Sequence, residues 1–102
     1  MPPNEVERTD LQPIADIDRL TILAVLYVVE NADFVYLRHQ TGLTGGNLSS
    51  HLSRLEAAGY VDIKKEFADK MPRTLLRLTD EGREAFEAYR QDMMRVLEDL
   101  AE

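Results

Sequence analysis

Between Thr44 and Arg54 the chain reads Thr-Gly-Gly-Asn-Leu-Ser-Ser-His-Leu-Ser-Arg, a run of small side chains that donate and accept hydrogen bonds. Leu48, Leu52 and Leu55 fall at i, i+4 and i+7 and form one apolar stripe on a predicted helix. At about 100° per residue, Gly46, Ser50 and Ser53 point almost directly away from that stripe, with Asn47 and Arg54 on the adjoining flank. Asn47 and Ser50 can hydrogen-bond base edges, and Arg54 can reach a phosphate or a guanine. Two glycines in the first turn of a helix each cost about 1 kcal/mol against alanine, which suggests close approach of another surface. Bare N–H groups at a helix start also bind phosphate well. Thr44, Gly45, Gly46, Asn47, Ser49, Ser50 and Arg54 are therefore the candidate DNA-binding residues of this helix. The competing explanation is that Thr44 and Asn47 only cap it and that the serines are solvated surface.

A second group, Lys64, Lys65, Lys70 and Arg73, surrounds the tip of a predicted hairpin. Of these, Lys65, Lys70 and Arg73 are expected to hold phosphates or to enter the minor groove beside the helix. The competing explanation is a charged edge that discourages aggregation, since Glu66 and Asp69 sit among them. The distribution of charge suits a polyanion, the competing explanation being ordinary solvated charge clustered by chance. The whole chain carries −7, yet residues 36–79 hold seven Lys/Arg against four Asp/Glu. Residues 1–35 hold two against seven, and residues 80–102 three against eight. An acidic body repels DNA in wrong orientations while a basic centre attracts it.

Other chemistry is poorly represented. With no cysteine there can be no disulfide, thiolate metal site or cysteine nucleophile. His39 and His51 are the only histidines, and a metal site needs more converging ligands than the sequence offers, so no metal and no cofactor are expected. No Gly-rich phosphate loop, nucleophile elbow or paired-carboxylate arrangement occurs, and enzymatic activity is not expected.

The elements that must position these residues can be read from local signals. At 102 residues and 11.7 kDa there is room for one domain. Residues 1–10, acidic and with Pro2 and Pro3, are expected to be a flexible tail without the features of a signal peptide. The domain is expected over 11–100, beginning near Leu11 with Pro13 in a first helical turn. The apolar stretch Ile22–Val29 is too short to cross a bilayer, so the cytoplasm is the expected compartment. Asp18 is expected to cap a helix through Val29, with Leu20, Leu23, Leu26 and Val29 on one face. Asp33 caps a short helix, Phe34 to Gln40, closed by Gly42 in the left-handed conformation. Thr44 then caps the third helix, from about Gly45 to Ala58, completing a helix-turn-helix.

Alternation follows. Val61, Ile63 and Phe67 are expected to face inward on one strand, and Thr74, Leu76 and Leu78 on the next, with Ala68–Pro72 connecting them. Thr79 or Asp80 caps a last helix of about residues 81–100. It carries a seam of Phe86, Tyr89, Met93, Val96, Leu97 and Leu100 opposite a charged face. Together with Ile14 of the first helical segment, that seam is the expected dimer surface. The fold class is thus α+β and mainly helical: a winged helix-turn-helix with a two-stranded wing and a long C-terminal dimerisation helix.

The run from Leu43 to Val61 resembles the recognition helix and first strand of MarR/ArsR-type winged-helix regulators. Pro72-Arg73-Thr74 and Arg77-Leu78-Thr79-Asp80-Glu81-Gly82 are similar to the end of the wing and the start of the final helix in the same group. The likeness spans roughly residues 11–100 and fits the small single-domain branch. It implies a homodimeric transcriptional regulator, with one recognition helix per half-site of a pseudo-palindromic double-stranded DNA operator. Repression is the expected mode. No effector follows from it, because ArsR-type sensors use cysteine-containing metal sites and the ligand-binding MarR proteins have a larger dimerisation region. The alternative from a different class is a winged helix used as a protein-interaction module without DNA binding, which the overall acidity would suit.

Overall fold

The computed structural model describes residues 16–101. The predicted start near Leu11, the Pro13 turn and the candidate dimer residue Ile14 lie outside them. Helix α1 (Ile17–Val29) is capped by Asp16 rather than by Asp18. The Asp16 carboxylate accepts the N–H groups of Asp18 (2.9 Å) and Arg19 (3.3 Å), so Asp18 stands inside the first turn. Burial alone would raise the Asp16 carboxyl. The two amide donors, with the nearby His51 and Arg19, outweigh it and hold the group below its usual range. A depressed carboxylate stabilises the fold above the unfolded value near 4, and that contribution fades as pH falls through the folded value. Asp16→Ala should therefore cost about 1 kcal/mol at neutral pH. Urea titrations of the two proteins should converge in strong acid, and a gap independent of pH would count against the cap.

After α1 come β1 (Asn31–Asp33), α2 (Phe34–Thr41), α3 (Gly45–Ala57), β2 (Val61–Ala68), β3 (Met71–Leu78) and α4 (Asp80–Ala101). The helix-turn-helix is built by the expected local signals. Asp33 accepts from the Tyr36 N–H, Gly42 closes α2 at φ 72°, and Thr44 accepts from the Asn47 N–H at 3.1 Å. This is the winged helix the sequence predicts, with one addition. The sheet has three antiparallel strands in the order β1-β3-β2, because Asn31–Asp33 pairs with Leu75–Arg77.

The connector of the hairpin is shorter than predicted. Pairing runs without interruption from Val61↔Leu78 to Ala68↔Met71, so Ala68, Met71 and Pro72 belong to the strands. Only Asp69 and Lys70 turn, both at positive φ (52° and 67°), the geometry that matches the twist of a tight hairpin. Pro72 is tolerated because β1 does not extend to it, which leaves that edge of β3 free.

A single core fills the space between the helices and the sheet. It comprises Ile22, Leu23 and Leu26 of α1, Leu37 of α2, Leu48, Leu52 and Leu55 of α3, and Ala32, Val61, Leu76 and Leu78 of the sheet. Each buried leucine contributes about 1.5–3 kcal/mol relative to exposure. The three from α3 thus fix the rotation of that helix, and with it the face left to solvent.

Candidate nucleic-acid interface

With the leucine stripe buried, the opposite face of α3 is open. Thr44, Gly46, Asn47, Ser49, Ser50, Ser53 and Arg54 are all exposed, and Gly45 is half-buried. A Cβ added at Gly45 or Gly46 would meet nothing within 4 Å, so packing among the described residues does not explain either glycine.

Ser49 and Ser53 lean toward the wing. With Glu56, Lys65 and Thr74 they line a groove of about 700 Å³ between α3 and the β2–β3 hairpin, floored by Leu52, Ile63 and Leu76. The face of the sheet that carries Val61, Ile63 and Lys65 is therefore the one turned to α3. Lys64, Lys65, Lys70 and Arg73 are exposed. Lys64 lies 3.8 Å from Glu66, and Arg73 lies 3.7 Å from Asp33, pairs that solvent weakens.

Phe67 departs from expectation. It shares the side of the strand with Val61 and Ile63, yet it is 78 % exposed, because the hairpin runs out past the body and no described residue covers it.

Behind the open face of α3, His51 joins that helix to α1. Its Nδ1 accepts from Arg19 Nε at 3.2 Å, and its Nε2 lies 3.7 Å from an Asp18 carboxylate oxygen. Asp16, Asp18 and His51 offer ligand atoms within 4.8 Å of one another, a grouping that residue spacing does not predict. With Nδ1 accepting from Arg19, the grouping is built around a hydrogen-bonded imidazole with its other nitrogen turned toward Asp18. A donor on Nδ1 leaves the ring proton on Nε2, the nitrogen a metal would need.

The seam of α4 divides into two parts. Phe86 and Tyr89 are half-buried and pack against the core, and the Phe86 ring lies 5.2 Å from that of Tyr27. The Tyr27 hydroxyl donates to Glu87, and that hydrogen bond raises its pKa above the ordinary phenol value. Arg83 stacks over the same ring at 4.8 Å. From Gln91 onward α4 is exposed throughout, with Met93, Val96, Leu97 and Leu100 between 42 % and 78 % accessible. Between α1 and α4 runs an apolar groove of about 420 Å³ bordered by Val25, Phe86, Tyr89 and Met93.

A helix-turn-helix with an open polar recognition face and a hairpin beside it defines a winged-helix DNA-binding domain. Residues 19–97 match the winged helix DNA-binding domain family, and the chain belongs to it. It is 37 % identical over 82 residues to the uncharacterized protein MJ0432 of Methanocaldococcus jannaschii, covering 80 % of this chain and 89 % of that one. The structure of a transcriptional regulator homologue from Pyrococcus horikoshii OT3 superposes with a TM-score of 0.85 at 32 % identity, over 92 % of this chain and 93 % of that one. A homodimeric winged helix-turn-helix domain, Mb0332 of Mycobacterium bovis, has the same fold (TM-score 0.75, 22 % identity, 94 % and 84 % covered). The family is that of a DNA-binding domain, and the Pyrococcus horikoshii chain is a transcriptional regulator homologue. Among the described residues no helix is long and apolar enough to cross a membrane.

Proposed function

We propose that this chain binds a pseudo-palindromic double-stranded DNA operator as a homodimer in the cytoplasm and represses transcription there. The observation that carries this reading is the open face of α3. Gly46, Asn47 and Ser50 are exposed opposite three buried leucines, and no packing among the described residues explains the glycines. A helix presenting small polar groups near its N-terminus fits the major groove. Gly46, Asn47 and Ser50 would face bases, while Thr44, Gly45, Ser49, Arg54, Lys65, Lys70 and Arg73 would hold phosphates. The exposed half of α4 supplies the second surface, on which Met93, Val96, Leu97 and Leu100 would meet a second copy. Phe86 and Tyr89 would support it from the core, and the homodimeric Mycobacterium bovis domain is consistent with that use of the fold. Recognition helices would then sit about 34 Å apart, one turn of DNA.

Gel shifts against duplexes selected from a random pool test the assignment. Replacing Lys70 and Arg73 by alanine should weaken binding to every sequence and flatten the salt dependence by about one unit for each phosphate no longer neutralised. An unaltered slope would remove the wing from the interface. Asn47→Ala or Ser50→Ala should instead change which sequences are selected, because a hydrogen-bonded base pair is discriminated by about 1–3 kcal/mol. Identical selected pools would show that the reading face lies elsewhere.

A further inference from the structure

We propose that Phe67 is an apolar wedge, which the wing drives into the minor groove to unstack a base step and bend the DNA. The inference rests on the DNA-binding reading above and adds a deformation to it. Phe67 and Met71 are 78 % and 67 % exposed at the tip of the hairpin, large apolar side chains that no described residue covers. The two point to opposite sides, since Met71 pairs with Ala68 and Phe67 pairs with Pro72. Phe67 is thus on the side that faces α3, two residues beyond Lys65 in the groove wall and roughly 6–7 Å farther out. It sits where the wing would meet the groove adjoining the one read by α3.

Charge selects the occupant. Lys65 shares its face and Lys70 stands in the turn, within the stretch of the chain that carries net positive charge. Of the nearby carboxylates, Glu66 is on the opposite side beside Lys64, Asp69 is adjacent to Lys70, and Glu56 lines the groove with Lys65, which Phe67 lies beyond. A partner that takes a bare aromatic ring between cations is a polyanion with an apolar interior, and stacked bases are that partner. Insertion also requires stiffness. Strand pairing that continues to the last residue before a two-residue turn provides it. Minor-groove proteins that kink DNA use phenylalanine, methionine or proline in this way, favouring flexible pyrimidine–purine steps.

The test uses two duplexes of equal length, one of alternating A·T steps and one an uninterrupted A-tract, each with 2-aminopurine in place of one adenine. Its fluorescence rises when the base unstacks. The wild-type chain should raise the signal on the alternating duplex and bind it about tenfold more tightly than the stiff A-tract. Phe67→Ala should lose both the rise and the preference, whereas Phe67→Leu should keep both. With the ring exposed to solvent, unchanged melting temperatures are expected for both variants. A wild-type complex with no fluorescence rise, or a rise undiminished in Phe67→Ala, overturns the wedge while leaving the DNA-binding reading intact. Binding to neither duplex overturns both.

Discussion

Replacing Gly82 by alanine should remove a large share of the stability of this chain. The first turn of α4 crosses the backbone of Tyr60, and a Cβ at Gly82 would lie 2.1 Å from the Tyr60 carbonyl oxygen and 2.9 Å from its carbon. Neither atom can step aside cheaply. The Tyr60 carbonyl accepts the Thr79 N–H at 3.0 Å, and the Thr79 hydroxyl donates to the Gly59 carbonyl at 2.6 Å. The same hydroxyl oxygen accepts the Gly82 N–H at 2.9 Å, which starts the helix. Thr79 thus ties the end of α3, the start of β2 and the first turn of α4 together. One added methyl must push at least two of them apart.

Overpacking of this kind, with loss of a buried hydrogen bond, costs about 3 kcal/mol or more. Small domains hold only about 5–15 kcal/mol in total. The thermal midpoint should fall by roughly 12–24 °C. Gly45→Ala is the internal control. There a Cβ meets open space, and alanine should raise stability by up to about 1 kcal/mol. Should Gly82→Ala melt within a few degrees of the wild type, α4 and Tyr60 must stand farther apart than these distances.

That crossing is not legible in the sequence, and the reason is general. Asp33, Gly42 and Thr44 act on amides within a few residues of themselves, so the helix-turn-helix can be read directly from the order of residues. Asp16 and Asp18 show the margin of error of such reading. Both precede the apolar period, and only the geometry reveals which carboxylate meets the free N–H groups. Strand β1 has three residues and no periodicity of its own, and it exists because β3 offers it an edge. The hairpin connector reads too long in the sequence because Asp69-Lys70 lacks the Asn-Gly signature of a two-residue turn.

Phe67 marks a different boundary. Alternation assigns a residue to one side of a strand, but it does not tell whether another element lies on that side. Val61 and Ile63 have the body of the domain near them, and Phe67 has solvent. In α4 the same limit applies in reverse. The seam runs continuously from Phe86 to Leu100 in sequence, yet the body of the molecule covers only its beginning. Periodicity identifies an apolar stripe, and the lengths of neighbouring helices decide how much of that stripe a single chain can hide.

The uncovered part of that stripe leads to the second large effect. Met93→Asp together with Leu97→Asp should leave a folded monomer that has lost tight operator binding. In one chain Met93 is 42 % and Leu97 is 55 % exposed, so aspartate there meets water and disturbs little. In a dimer seam the same carboxylates would be buried without partners, beside a helix that already carries Glu84, Glu87 and Glu98. An unpaired buried charge costs several kcal/mol, more than the apolar packing at those positions could return. Sedimentation should therefore move from dimer to monomer while the helical signal in circular dichroism is kept. The consequence for DNA follows from linkage of two half-sites. A dimer binds its second half-site as an intramolecular event, which is worth about 10²–10⁴-fold in affinity, and a monomer forfeits that factor. Weak binding to random duplex should persist, because each copy keeps its own α3 face and wing. The pattern is diagnostic, since damage to α3 itself would reduce both modes together. A wild-type chain that sediments as a monomer at full operator affinity would show that α4 pairs with nothing, and that one copy alone supplies the whole interface.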